Sequence, residues 1–329
     1  LFASCHASTL LPMQDGRLLA AWFGGTHEKH PDVAIWTSYR SADGQWSDPI
    51  KAADEANVPH WNPVLADDGS GQVIMFYKVG PNCRDWRTRV TRSLDGGQTW
   101  RPPVELPAAT DERGRTFPVG PVKNKMIVLS NGTWLAPTSR ETELEWDAAV
   151  TRSTDRGSTW ELATVPLDHQ VFRGKGVIQP TAWESAPGQV HMLLRSTAGF
   201  VGRTDSRDWG RTWSAVESTS LSNNNSGVDL VRLSNRALVL CSNPAGSDWG
   251  ARTPLVLSRS SDNGRTWTQI AVLEDEDSDR SAAAQPDDAR QLAEFSYPAV
   301  VRHGDCLIVS YTWKRERIRV ATVHGTTES

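Results

Sequence analysis

Side chains able to hold an anion or exchange a proton recur at the ends of short apolar runs along this 329-residue chain. One set precedes such runs: His6, His60-Trp61-Asn62, Lys123-Asn124-Lys125, Gln179, Asn225 to Asp229, and Glu294 to Tyr297. A second set follows them: Gly24-Gly25-Thr26-His27-Glu28, Lys78, Arg140-Glu141, Arg195, Asn243 and Trp313-Lys314-Arg315. Guanidinium and ammonium groups pair with carboxylates in charge-assisted hydrogen bonds. Carboxyl, imidazole and phenol groups transfer protons. Polar loop ends account for part of this pattern. They account less well for His6, Gln179, Arg195 and Tyr297, which adjoin apolar strand residues.

Other motifs have simpler readings. His27 and His30 are three apart and lack the i, i+4 spacing of a helical zinc site, so no metal is expected. The run Glu274 to Asp279 lacks the spaced ligands and Gly of a calcium loop. With Ala282 to Ala284, Asp287 and Asp288 it reads as a solvated insertion, placed where it can act as a lid. Asn131-Gly132-Thr133 fits a glycosylation acceptor, but a turn is expected there. Cys5, Cys83, Cys241 and Cys306 have no metal-type spacing and read as buried thiols. No cofactor is implied.

The elements that position these groups come from a repeat. Ser-x-Asp-x-Gly-x-Thr-Trp occurs at Ser93–Trp100, Ser153–Trp160, Ser206–Trp213 and Ser260–Trp267, with a shortened copy at Ser41–Trp46. The closing Trp residues, Trp46, Trp100, Trp160, Trp213 and Trp267, are 54, 60, 53 and 54 apart. The chain holds fifteen Trp, far more than its core requires, which the repeat explains in part. Asp95, Asp155, Asp208 and Asp262 suit a turn whose own amides they bind. Gly97, Gly157, Gly210 and Gly264 suit positive φ. Four identical catalytic sites would be redundant, so these carboxylates are scaffold.

Each repeat divides into four short strands, as in Trp61–Ala66, Val73–Lys78, Arg87–Arg92 and the strand entered at Trp100. Asp15-Gly16, Asp68-Gly69 and Asn131-Gly132 mark hairpin turns. A unit of about 55 residues with four antiparallel strands is a propeller blade. The third strands begin near Asp32, Arg87, Asp147, Phe200, Thr253 and Arg317, which counts six blades. The expected fold is all-β, a six-bladed β-propeller over residues 1–329 as one domain. Residues before His6 are expected to supply the last blade's missing fourth strand and close the ring. With strands lettered A to D within a blade, the repeated turns join C to D. Function belongs on the opposite side, where strands A begin and strands B end.

A net charge of −4 gives no global field for nucleic acid. No apolar run approaches the ~20 residues of a membrane span. No obligate protein partner is implied. The chain opens at Leu1 with no initiator Met, which reads as a trimmed start and favours a secreted or periplasmic location over a cytoplasmic one.

Asp-box turns at this spacing on six blades resemble those of sialidases (neuraminidases), over essentially the whole chain. The sialidase-like BNR-repeat subgroup is similar in Cys5-His6-Ala7-Ser8-Thr9, Trp22 to Thr26, Asn62 to Leu65, Lys123 to Lys125, Ile178 to Thr181, Asn225 to Gly227, and Phe295 to Ala299. The resemblance implies a sugar carboxylate held by arginines, a Tyr nucleophile assisted by a Glu, and an Asp acid/base. Arg195 and Arg252 match two of the arginines. His6 stands where the first would be, and Gln179 where the Glu would be. Tyr297 sits near the nucleophile position, with the register open by one or two residues. Asp32 or Glu28 lies in the loop of the acid.

Three functions follow. The first is an exo-glycosidase releasing a terminal acidic sugar such as sialic acid from a glycan. Arg195 and Arg252, with Lys123 or Arg140, would hold the carboxylate. Tyr297 would attack or stabilise the anomeric centre, and Asp32, Glu28 or Glu141 would protonate the leaving oxygen. His6 would bind substrate or carry a proton. Gln179, Asn124, Trp61, Asn62, Asp229 and Lys78 complete the expected contact set. The second is a lyase or uronate-directed glycosidase, for example on rhamnose–glucuronate linkages, using Lys123, Arg195, His6 and Tyr297. The third is a glycan-binding propeller without catalysis.

Overall fold

The computed structural model describes residues 1–275 and 293–325. Most of the expected acidic insertion, from Glu276 through Asp288, lies outside the described residues, and the lid reading with it.

Six antiparallel sheets follow one another along the chain, each with its strands in sequence order, and form a six-bladed β-propeller. Blade one holds Ser4–Pro12, Leu18–Gly25, Ala34–Arg40 and Ile50–Ala53; blade two holds His60–Asp67, Val73–Val79, Arg87–Ser93 and Val104–Leu106. Blade three holds Ile127–Val128, Trp134–Glu141, Trp146–Ser153 and Glu161–Thr164, after a small hairpin of Ala109–Thr110 and Thr116–Phe117. Blade four runs from Val177–Ala186 to Glu217–Ser222 and blade five from Asp229–Arg232 to Thr268–Glu274. Blade six has three strands among the described residues: Phe295–His303, Cys306–Trp313 and Arg317–Val323.

The apolar residues of strands A to C form one cluster at each seam between blades. Leu19, Ile35, Leu65 and Met75 join blades one and two, Ile74, Phe76, Trp134 and Ala136 join two and three, and Val150, Val177 and Met192 join three and four. Leu193, Val201, Leu230 and Leu240 join four and five, and Val239, Leu257, Val300 and Val309 join five and six. Each large side chain buried this way stabilises by roughly 1.5–3 kcal/mol, which holds a ring whose blades share few backbone bonds.

The closing seam corrects one expectation. Ser4 and Cys5 pair with Gly25 and Gly24, so the N-terminal segment is strand A of blade one and not strand D of blade six. Blades six and one meet through Leu10, Leu18, Trp22, Val301 and Ile308. The Cys5 N–H donates to the Arg315 carbonyl at 2.7 Å, and the Ser8 hydroxyl to Ser310 at 2.9 Å. Among the described residues, side-chain packing with the Cys5–Arg315 backbone bond joins the seam that a shared strand was expected to close.

The four full repeats are turns of one geometry. In each, the Asp side chain accepts the amide and hydroxyl of the Thr four residues on, as Asp208 does from Thr212 at 2.9 and 2.6 Å. The preceding Ser hydroxyl donates to the same carboxylate and accepts the Gly N–H, at 2.8 and 2.9 Å for Ser206. The glycines have φ from +75° to +91°. The Trp that follows packs across the seam: Trp160 lies 6.5 Å from Trp134 in its own blade and 6.2 Å from Phe76 of blade two.

Candidate active site

On the side away from these turns, one non-glycine residue per blade is left-handed at the entry to strand A. They are Ala7 (φ +53°), Asn62 (+40°), Lys123 (+71°), Gln179 (+51°), Asn225 (+58°) and Tyr297 (+54°). In blades one, two, four and six the residue sits in a break of register, between His6 and Thr9, Trp61 and Val64, Ile178 and Thr181, and Ser296 and Ala299. A bulge bends the strand and re-aims a side chain. Pro63, Pro180 and Pro298 follow three of these residues; lacking an N–H, a proline leaves no donor stranded where the ladder is broken. Left-handed backbone at such residues costs about 1–3 kcal/mol each, and such strain collects at functional sites.

The bulges bring side chains from several blades onto Tyr297, which is buried. Its hydroxyl accepts Arg195 Nη1 at 2.6 Å and Gln179 Nε2 at 3.4 Å. Arg195 also donates to Gln179 Oε1 at 3.1 Å and to Asn225 Oδ1 at 2.7 Å, and Asn225 donates to Asp248 at 2.7 Å. The Arg195, Arg252 and Lys123 cations lie 5.7, 5.6 and 5.8 Å from the Tyr297 ring. His6 stacks at a tilt 4.1 Å from the same ring, and its Nδ1 meets the Thr312 hydroxyl at 2.8 Å. Burial, then Arg315, Arg252, Arg195 and Lys123, holds the His6 imidazole well below its usual range, so it is neutral at pH 7.

Lys123 reaches the axis with its ammonium on the carbonyls of Pro298 and Val228, at 2.5 and 3.3 Å, and on Asn124 at 2.8 Å. Burial pushes it down to about 7. Asn124 in turn donates to the Gln179 and Pro180 carbonyls, fixing blade three against blade four.

Of the three candidate acids, Glu141 is the one that reaches this cluster. Its carboxyl lies against Gln179 and Cys83; burial raises its pKa, and Arg195 opposes the rise. Asp32 is exposed and bound by its own loop, accepting the Thr26 hydroxyl at 2.6 Å and the Thr26 amide at 3.0 Å. Those bonds push it down to about 2. Glu28 pairs with Arg315 at 2.6 Å.

Four expected contact residues are placed elsewhere. Lys78 is fully enclosed between blades two and three, donating to Thr88 and to the Val119 carbonyl. Asp229 lies beneath the cluster, bound to Lys125, to Thr181 at 2.8 Å and to the Val300 amide at 2.9 Å. Arg140 pairs with Asp147 at 2.8 Å, in the wall of a neighbouring cavity. Trp61 is buried against Trp86 and Phe23, and donates to the Gly80 carbonyl. Asn62 occupies the bulge position of blade two.

Sequence reasoning placed Glu294 and Arg315 at strand ends and gave them no role. The structure joins them in a chain of ion pairs, from Glu28 to Arg315, to Glu294 at 2.9 Å, to Arg252 at 2.6 Å. Burial works against the Glu294 carboxylate, but Arg252 and Arg315 outweigh it and hold it down at about 2. Trp146 and Trp249 were also missed; Arg195 lies 5.4 and 5.8 Å from their rings. Both Trp stand outside the repeat, which was the available signal. Glu145, Asp147 and His169 are close enough to share a cation, but Arg115 and Arg140 already neutralise Asp147.

Known structures share the fold. A Hadza microbial sialidase superposes at a TM-score of 0.77 with 15% identity, over 98% of this chain and 66% of that one. A protein of unknown function from Dyadobacter fermentans gives 0.73 and 17%, over 97% and 93% of the two chains. The NanB sialidase of Streptococcus pneumoniae gives 0.73 and 15%, over 98% and 68%. The chain thus spans about two thirds of the length of each of these two sialidases. No curated protein matches the sequence. The BNR repeat-like domain family matches residues 16–309, and the chain belongs to that family.

Proposed function

We propose that the protein is a glycosidase that releases a terminal acidic sugar, sialic acid or a relative, from a glycan. The observation that carries this reading is the convergence on Tyr297: two N–H donors on its hydroxyl, and three cations within 6 Å of its ring. A carboxylate nucleophile would be repelled by an acidic sugar, whereas a phenol is not. In this reading Arg195 and Arg252 take the sugar carboxylate. Tyr297 addresses the anomeric carbon, and Glu141, whose protonated form burial favours, gives its proton to the leaving oxygen. The sialidases of similar fold support the substrate class.

One observation favours a second reading. The group beside the Tyr297 hydroxyl is Gln179, an amide that cannot take a proton from it, while a neutral His6 lies against the ring. A neutral imidazole with nearby cations suits β-elimination at a uronate, with His6 as the base. A screen of sialosides, other nonulosonic acid glycosides and rhamnosyl-glucuronates separates the two. Hydrolysis yields saturated products, and elimination yields a double bond absorbing in the ultraviolet. Tight binding of such glycans without turnover would overturn both.

A further inference from the structure

We infer that a cavity between blades two and three binds a second acidic sugar, on the leaving-group side of Glu141. This rests on the glycosidase reading and narrows its substrate to glycans with two consecutive acidic residues. The cavity measures about 370 Å³, within the range of small-ligand sites. Glu141 lines it and also touches Gln179 of the axial cluster, so the cavity adjoins the place where the leaving oxygen would be protonated.

Its walls have the chemistry of an anionic sugar. Arg84, Arg115 and Arg140 line it, and Glu141 is the one carboxyl of the lining. The arginines are also paired outside the lining, Arg84 with Glu143, Arg115 with Asp111 and Asp147, and Arg140 with Asp147. Arg115 and Arg140 each give one Nη1–H to opposite oxygens of Asp147, both at 2.8 Å, which fixes the two guanidiniums side by side. A guanidinium carries five N–H donors, so that pairing leaves others for a ligand. Trp86 and Phe117 supply apolar surface.

Two polar atoms of the lining are buried without a partner in the protein: Trp86 Nε1 and Glu141 Oε1. Trp86 is only 9% exposed. Buried polar groups are normally satisfied, by a ligand or water if not by protein. One is a donor and the other belongs to the carboxyl proposed as the acid. A sugar hydroxyl both donates and accepts, so it suits either atom.

Two measurements test this. The first compares kcat/KM on two disaccharides with the same terminal acidic sugar, one with a uronate in second position and one with the matching neutral hexose. Wild type should favour the uronate by about tenfold or more, and Arg84→Ala should bring the ratio close to one. Arg84 is half exposed and its partner Glu143 is exposed, so the variant should fold. Equal rates on the two disaccharides in wild type overturn the inference and leave the glycosidase reading standing. If wild type cleaves neither, the glycosidase reading fails, and the second measurement decides for the cavity. Methyl glucuronide is titrated while the indole N–H resonances are followed, with Trp86 assigned through Trp86→Phe. A saturable shift of the Trp86 N–H, weaker in Arg84→Ala and absent with methyl glucoside, supports the cavity as an anionic-sugar site. No shift, or the same shift with the neutral sugar, overturns it.

Discussion

The two ends of the propeller treat carboxylates and amides in opposite ways. At the repeated turns every partner of Asp95, Asp155, Asp208 and Asp262 lies within four residues, and all four carboxylates are driven down, the first three to about 2. At the axial end the partners are far apart in sequence: Arg195 to Tyr297 is 102 residues, Lys123 to Pro298 is 175, and Glu28 to Arg315 is 287. The turn groups are exposed or half-exposed and satisfied in place. The axial groups are buried or half-buried, include four cations, and lie where the A strands are entered through left-handed backbone. A polar group whose bonds close locally stabilises its own hairpin. One whose bonds cross several blades depends on the whole ring, and is free to meet a ligand only where the ring presents it.

The largest effect should come from the hub of the axial end. Arg195→Lys keeps the charge but cannot bridge Tyr297, Gln179 and Asn225 together, because a point charge replaces a planar fork. Turnover of an acidic glycoside should fall by about 10²–10³-fold, the usual cost of losing a preorganised donor. Steady-state kinetics beside thermal melting checks this. Activity within about threefold of wild type would remove Arg195 from the mechanism and erase the contrast between the two ends.

The next effect concerns the acid. Glu141→Gln should lower kcat by about 10²-fold on a poor leaving group and much less on an activated aryl glycoside, which needs no proton. The sign of the pH dependence follows from burial. The raised pKa keeps Glu141 protonated into a higher pH range, and activity is lost as pH rises through that pKa; the variant should lack this limb. Asp32→Asn should change little, since Asp32 is already ionised and bound to Thr26. If the two variants behave the other way round, the proton comes from the loop and not from blade three.

This ranking of acids shows what the sequence withholds. The repeats, their turns and the starts of the C strands are local patterns, and they give the blade count. The blades' opposite end follows from strand parity, so His6, Gln179, Arg195 and Tyr297 are legible as neighbours. Which of Asp32, Glu28 and Glu141 faces the axis depends on burial and on bonds across blades, and no spacing encodes that. Lys78 was misplaced for a related reason. It ends strand B like Arg195, but its chain turns into the seam, where Thr88 and Val119 receive it. The closing strand failed because Ser4 and Cys5 are also good partners for Gly25 and Gly24, and a one-blade difference in pairing leaves no mark on composition.

At the turn end the expected effect is on stability alone. Asp208→Ala removes the acceptor for Thr212 and Ser206, and should cost about 1–2 kcal/mol, discounted because the turn is largely solvent-exposed. For a chain of this size that is a loss of a few degrees in Tm. Burial is the largest single influence and opposes the Asp208 carboxylate, but the bonds from Thr212, Ser206 and Arg211 together outweigh it and depress it to about 2. The stabilisation is therefore present above about pH 4 and is lost as pH falls through 2, so wild type and variant should converge in acid. kcat/KM should be unchanged; a catalytic defect would show that the turns transmit to the axis.

The smallest effect divides two lysines that look alike. Lys78 and Lys123 are both pushed down to about 7 by burial, which the nearby Asp229 opposes in Lys123 alone of the two. Below its unfolded value of ~10.4 each binds a proton more readily in the unfolded chain, so each withdraws stability as pH falls toward 7. Lys78→Met keeps the apolar stem and removes that penalty. Thr88 stays satisfied, because its hydroxyl already donates to the Val119 carbonyl at 2.7 Å. Stability at pH 7 should be equal or higher by up to about 1 kcal/mol, with the gain shrinking as pH rises toward 10, and turnover should not change. Lys123→Met removes the same penalty, yet it also removes the ammonium beside Tyr297 and the tie to Pro298 and Val228. It should lower turnover while Lys78→Met does not. Chemical denaturation at pH 7 and 8.5, run beside kinetics, separates the pair: a burial penalty retained for scaffold alone would make the two variants equivalent in turnover, and a penalty retained for chemistry would make them differ.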